Sequence, residues 1–359
     1  MVARRVLVLV GTKKGGFIVD GDDSRDVWTI RGPLCEGQAI HDMSVDPASG
    51  TLYAGGGSSW YGPAVFRSDD LGQTWTVSSA GLTYGDGGPQ ISLVWNVTAA
   101  HGVVYAGVGD AGLFRSGDGG ATWDHVVGLT NHPSRPAWQP GAGGLILHTI
   151  IPHPTDPDHL WIAISAVGCF ETTDGGETWQ TRNTGVRAEF MPERYPEFGQ
   201  CVHKMAMAAG EPLHLYQQNH CGVYRSFDGG ATWGEITAGL PSEFGFPIVA
   251  HPRDPLTAWT IPLNGAERGR FVPDGAAAVW RTSDGGDTWA RLATGLPQEH
   301  AFLGILREAM AVDRLDPVGV YFGTSTGQLW VSRDEGEGWE MLTGDLPPIY
   351  SVEAVLLDG

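Results

Sequence analysis

An eight-residue string that recurs six times constrains this chain more than any other feature. It reads SDDLGQTW up to Trp75, SGDGGATW to Trp123, TTDGGETW to Trp179, SFDGGATW to Trp233, TSDGGDTW to Trp289 and SRDEGEGW to Trp339. Its central aspartates, Asp70, Asp118, Asp174, Asp228, Asp284 and Asp334, stand 48, 56, 54, 56 and 50 residues apart. A fixed period of this length marks an array of supersecondary units, each of which buries its apolar face only against its neighbours.

Each string follows a short β-rich segment such as GVYRS, GLFRS or AVWRT and precedes another such as GEITAG or ARLATG. That is the pattern of a hairpin closed by a tight turn. Within the turn the Ser/Thr hydroxyl and the Asp carboxylate can accept backbone N–H bonds and glycine supplies the positive-φ position. The tryptophan returns to pack between neighbouring sheets. Two further strands lie upstream, as in HDMSVDPASGTLYAGG (residues 41–56) and HTIIPHPTDPDHLWIAIS (residues 148–165), reversing at PASG and PTDPDH. One repeat therefore makes one four-stranded unit.

The pattern Ser/Thr-x-Asp-x-Gly-x-Thr-Trp resembles the Asp-box, or BNR, repeat of the sialidase-like β-propeller superfamily. Five copies are complete and the sixth has Gly338 in place of threonine. The resemblance covers nearly the whole chain and implies a propeller. It does not choose an activity, because similar boxes occur in glycosidases, sorting receptors and photosystem assembly factors. A seventh blade is expected from the two ends: residues 5–31 carry strands and a degraded box retaining Asp23 and Trp28, and residues 349–358 supply one strand. The expected fold is all-β, a single domain over residues 1–359 forming one seven-bladed propeller. Pairing of the N- and C-terminal strands closes the ring and hides two sheet edges.

With 22 basic against 41 acidic residues the formal charge is −19, which opposes nucleic-acid backbones and anionic membranes as partners. The opening MVARRVLVLVGTKKGG has too brief an apolar run to span a membrane and no small-residue cleavage site, so neither a signal peptide nor a span is expected. Cys35, Cys169, Cys201 and Cys221 are far apart in a chain too large to need disulfide staples. They read as buried free thiols in a cytoplasmic protein, with the alternative that one of them stands near a functional site.

The boxes fall between third and fourth strands and so occupy one face of the ring. The opposite face gathers the long loops TYGDGGPQISLVW, TNHPSRPAWQPGAGGLILH, RAEFMPERYPEFGQCVH and LPQEHAFLGILRE. Ligands are expected there, round the central channel, to which every blade contributes. Aligning the innermost strands gives one column at their upper ends: His41, Trp95, His148, His203, Phe246, Glu308 and Tyr350. Three imidazoles and a carboxylate form an N3O donor set for one divalent transition metal, Zn, Fe, Mn, Cu or Ni. The expected ligands are His41, His148, His203 and Glu308, with Trp95 and Phe246 as walls and Tyr350 and His220 as proton-transfer groups. A one-residue slip in blade 6 presents Arg307 instead of Glu308. Without a metal the same column reads as a polar plug bonded to water and backbone.

His220 sits in YQQNHC with Asn219 and Cys221, in a turn on the same face. Arg187 and Arg194, in the loop before blade 4, are candidates to receive an anionic substrate. His153 and His251, each followed by proline, read as turn residues.

The function expected from the column is a metal-dependent enzyme acting on a small molecule at the channel top, a hydrolase, lyase or oxygenase. A glycoside hydrolase is the first alternative. Resemblance to sialidases implies an arginine cluster, a tyrosine nucleophile and an Arg-Ile-Pro stretch, from which TIRGPL (residues 29–34) departs. A carboxylate-pair glycosidase needs two acids facing a cleft, for which Asp110, Glu211, Glu299 and Glu308 are candidates without a visible pairing. Xyloglucan-degrading members of the superfamily form their cleft between two propellers, and this chain supplies one. The second alternative is a non-catalytic scaffold or assembly factor.

Overall fold

The β-rich segments flanking each box pair with the two strands before them, and the result is seven four-stranded antiparallel sheets arranged as blades of a propeller. The computed structural model describes residues 4–58, 60–208 and 213–357. Innermost strands run Ala39–Val45, Val94–Ala100, Leu147–Pro152, Val202–Met207, Gly245–Ala250 and Met310–Val312 in blades 1 to 6. Blade 7 takes its innermost strand, Ile349–Leu357, from one end of the chain, and Arg5–Thr12, Gly15–Asp22 and Trp28–Leu34 from the other. The closure expected from the sequence is thus present, with the third N-terminal strand reaching Leu34. Ile349–Leu357 pairs with Arg5–Thr12 from Arg5↔Leu357 to Thr12↔Ile349. Among the described residues no helix is long and apolar enough to cross a membrane.

The box works as the clip its residue types suggest. In blade 4 Ser226 Oγ donates to Asp228 Oδ1 at 2.8 Å, while Thr232 donates to the same carboxylate through its N–H at 2.9 Å and its hydroxyl at 2.6 Å. Such bonds hold a carboxylate in its ionised form; the Thr178 hydroxyl and N–H pull Asp174 down to about 2. In the sixth box the Ser332 hydroxyl at 2.7 Å and the Gly338 N–H at 2.9 Å still donate to Asp334, and the threonine hydroxyl is lacking. Three boxes also lock onto the blade before them through the tryptophan indole, as where Trp123 Nε1 donates to Ser78 Oγ at 3.0 Å. Trp233 Nε1 donates to Arg182 O at 2.9 Å, and Trp289 Nε1 to Ile236 O at 2.8 Å.

A second latch escapes a reading of the box alone. The arginine just before the box hydroxyl reaches the next box: Arg67 donates to Gly119 O at 2.9 Å, Arg115 to Gly175 O at 3.1 Å and Arg225 to Gly285 O at 2.6 Å. At the seam between blades 6 and 7 the buried Arg25 pairs with the buried Asp313 at 3.1 Å, and Tyr321 donates to the same Asp313 oxygen at 2.8 Å. These polar ties sit over apolar inter-blade cores containing the fully buried Trp161 and Trp259. Burial of such side chains dominates the stability of the ring. His153 and His251 accept turn N–H groups on their Nδ1 atoms, from Asp156 at 3.1 Å and Asp254 at 2.8 Å.

Candidate functional site

The column of seven residues is real, and the backbone makes it so. In six blades the ladder of the innermost strand skips the column residue: His41 between Ile40 and Asp42, Trp95 between Val94 and Asn96, His148 between Leu147 and Thr149, His203 between Val202 and Lys204. Phe246 falls in the irregularity between Gly245 and Ile248, and Tyr350 in the one between Ser351 and Ile349. An extra residue leaves the pairing pattern and re-aims its side chain. Here it takes six column residues out of the strict in-out alternation, and three of them, Trp95, His203 and Phe246, line the pocket at the upper mouth of the channel.

The same bulges keep the four expected metal ligands apart. His41 is stacked between Trp95 and Tyr350, each ring 5.0 Å away, and burial lowers its pKa to about 4. His148 is fully buried and uses both nitrogens: Nε2–H donates to Val202 O and Nδ1 faces the Thr149 hydroxyl, each at 3.0 Å. That tautomer leaves no lone pair for a cation. Glu308 turns down into the channel and forms a buried ion pair with Lys204. Arg307 takes the place at the mouth, its guanidinium 5.5 Å over Trp95 and 5.5 Å over Phe246. Both blade 6 alternatives are therefore realised, one above the other.

What the fold gathers instead is Cys201, His203 and His220. Among the described residues they form the group of three potential ligands whose donor atoms all lie within 4.8 Å of one another. The convergence is built inside blade 4. The hairpin register sets Val202 opposite Asn219, and the His220 N–H then donates to Cys201 O at 2.9 Å, placing residues 201 and 220 side by side. The bulge swings His203 up beside them. Its Nδ1–H donates to Gly245 O at 2.5 Å, which leaves the Nε2 lone pair toward Cys201 Sγ, 3.6 Å away. A carbonyl fixing the far nitrogen is the usual way to orient a ligating imidazole. Burial, with the Arg307 charge second, keeps His203 neutral well below its ordinary pKa, and burial also lowers His220. Burial raises the Cys201 thiol, while the nearby Arg307 works the other way.

These three residues face a pocket of about 420 Å³ at the channel mouth. Trp95, Phe190, Phe246 and Leu306 give it apolar walls, the segment Gly141–Gly144 forms one rim, and Arg270 and Arg307 project into it. Among the described residues no aspartate or glutamate lines it. Of the expected site residues, Trp95, His203, His220, Phe246 and Arg307 are brought to this pocket. Tyr350 stays at the His41 stack. Arg194 lies on the exterior, 59% exposed and paired with Glu189 at 3.0 Å, and Arg187 is spent on Glu235 and Glu243. Asp110 pairs with Arg135 at 3.2 Å, Glu299 is exposed, and Glu211 lies outside the described residues. Arg270 was missed by sequence reasoning. It comes from the loop after the second strand of blade 5, which carries no repeat signal.

No protein-family model matches the chain. Among curated proteins it is 26% identical over 258 residues to a xyloglucanase of a Paenibacillus species, an alignment covering 64% of this chain and 23% of that protein. It is 24% identical over 286 residues to xyloglucanase Xgh74A of Acetivibrio thermocellus, covering 72% of this chain and 32% of the relative. The chain thus spans about a quarter to a third of the length of these relatives. Among solved structures, a GH74 xyloglucanase from Xanthomonas campestris superposes with a TM-score of 0.62 at 18% identity, over 97% of this chain and 52% of that one. A putative 6-phosphogluconolactonase from Bacteroides fragilis gives 0.59 at 12% identity, over 99% and 98% of the two chains. YCF48 from Cyanidioschyzon merolae gives 0.55 at 15%, over 88% of each. At these identities the structural similarity speaks to architecture, and it agrees with the blade topology: the chain is a seven-bladed β-propeller.

Proposed function

We propose that this chain is a metal-dependent enzyme of the hydrolase class that acts on a small molecule in the channel-mouth pocket, with Cys201, His203 and His220 as protein ligands. The observation that carries the reading is the geometry of that trio. A zinc ion bonded at about 2.3 Å to sulfur and about 2.0 Å to nitrogen at the tetrahedral angle separates the two atoms by about 3.5 Å. Cys201 Sγ and His203 Nε2 stand 3.6 Å apart. Three protein ligands leave a fourth position open toward the pocket, where a bound water becomes a nucleophile near neutral pH. A thiolate and two imidazoles favour zinc or another borderline-soft ion over magnesium or calcium. The hydrolase class is supported by the names of the curated relatives.

A second reading, hydrolysis of a glycan, is favoured by the same relatives, both xyloglucanases. Glycosidic hydrolysis by a carboxylate pair requires two acids flanking the bond. The lining of this pocket has none, and Glu308 is committed to Lys204. The two readings separate in one experiment. Zinc-loaded and chelator-treated protein are assayed on a panel of small esters and lactones and on xyloglucan. Turnover of a small substrate that needs the metal and disappears in Cys201→Ser is the expected result. Xyloglucan hydrolysis that persists with chelator and in Cys201→Ser sinks the metal reading in favour of the second.

A further inference from the structure

The Arg307 guanidinium lies between the Trp95 and Phe246 rings, donates to Ser165 Oγ at 3.0 Å and is half-buried. Arg270 stands 5.8 Å from both the Phe244 and Phe246 rings. Among the described residues neither arginine has a carboxylate within ion-pairing distance, although arginines elsewhere in the ring do: Arg25 with Asp313, Arg187 with Glu235, Arg281 with Glu337. The adjacent acid, Glu308, is held by Lys204, and no other acid lines the pocket. In a chain of formal charge −19 this is a local concentration of unneutralised positive charge. The half-buried Arg307 guanidinium without a counter-ion is costly unless an anion completes the site, and the exposed Arg270 adds a second positive charge at its rim.

The surroundings limit what that anion is attached to. Apart from the arginines, the ligand trio and Ser165, the walls are aromatic, aliphatic or glycine. The volume of about 420 Å³ is near the lower end for ligand pockets, roughly 300–1,000 Å³.

We propose that Arg307 and Arg270 bind the carboxylate of a small acid whose apolar body lies against the Phe190, Phe246 and Leu306 walls of the pocket, beside Cys201, His203 and His220. This deepens the functional reading by naming the substrate class, and it rests on the pocket being the site of action but not on a metal being bound. Arginine suits the role because its planar fork matches a carboxylate and also stacks on aromatic faces.

The test uses the Cys201 thiol as a reporter in the full chain kept in chelator, so a failure of the metal reading does not touch it. Rates of alkylation of Cys201 by iodoacetate and by neutral iodoacetamide are measured by peptide mass spectrometry, as a ratio relative to the same cysteine in the urea-unfolded chain. The expected result is a ratio about tenfold above the unfolded reference, the size of one charge-assisted contact. It should fall to within about twofold of the reference in Arg307→Gln and, because Arg270 is exposed and its loss should not perturb folding, in Arg270→Gln. Benzoate should slow the labelling and benzamide should not. A ratio at or below the reference, a ratio unchanged in both variants, or a thiol unreactive to both reagents overturns the proposal. Protection by inorganic phosphate but not by benzoate overturns the carboxylate assignment.

Discussion

Replacing Lys204 by methionine tests whether Glu308 is half of a buried ion pair or free to ligate a cation. The Glu308 carboxyl is 3% exposed and Lys204 is 20% exposed. Burial works to lower the Lys204 ammonium, but the charge and hydrogen bond of Glu308 outweigh it and hold its pKa above the ordinary value. The Lys204→Met variant leaves Glu308 with no counter-charge, one of its oxygens being already without a partner. Asp42 is close enough that burial, and then the charge of Glu308, push its own pKa well up. Breaking one side of such a pair costs about 3–5 kcal/mol, whereas replacing both by apolar groups is close to neutral. For a chain of this size the single change should lower Tm by roughly 4–7 °C. Scanning calorimetry at pH 7.5 on Lys204→Met and on Lys204→Met/Glu308→Leu reads the outcome, the double variant recovering most of the loss. A single variant within about 1 kcal/mol of wild type, or a double variant no better than the single, refutes the pairing argument.

Two further outcomes follow from the boxes and the histidine stack. Gly338→Thr should stabilise the ring by about 1 kcal/mol, by supplying the hydroxyl that the five complete boxes give their aspartate and by restricting the unfolded chain; an added Cβ would meet the Asp334 carboxylate at an ordinary 3.4 Å. Urea unfolding reads it, and a loss of stability speaks against the clip. His41 has a folded pKa of about 4, below its ordinary 6.5, so its stabilising neutrality is complete above pH 6.5 and is lost as pH falls toward 4. His41→Phe keeps a ring between Trp95 and Tyr350 and should lose less stability than wild type from pH 7 to pH 4, by up to about 3 kcal/mol. Identical pH slopes for the two proteins contradict that assignment.

The fold was legible because its signals are local and repeated. A box of eight residues specifies its own turn, and the short complements at the two ends, residues 5–31 and 349–358, match the missing strands of a seventh blade. The site was legible in part. Lining up the inner strands found the ring of residues at the channel mouth, but not their directions, since a bulge at six of the seven column positions depends on tertiary packing and leaves no mark in an apolar run. Rotational symmetry suggested that His41, His148, His203 and Glu308 meet on the axis. Instead His148 is satisfied by its own neighbours and Glu308 answers Lys204, one residue beyond His203. The cluster that forms comes from a single hairpin. Cys201 precedes and His203 lies within the strand whose Val202 pairs with Asn219, so C-x-H opposite N-H-C was a readable signal once register was considered before symmetry. Arg270 had no such signal.

The central claim is that Cys201, His203 and His220 hold one metal ion at the mouth of the channel. The most direct measurement is an anomalous difference map at the zinc edge from crystals of zinc-supplied protein, with elemental analysis of Cys201→Ser, His220→Ala and His148→Gln alongside. The account predicts one peak bounded by Cys201 Sγ, His203 Nε2 and the His220 ring, with near-stoichiometric metal kept in His148→Gln and lost in the other two variants. Metal retained in Cys201→Ser and His220→Ala, a peak on His41, His148 or Glu308, or no peak at all contradicts it.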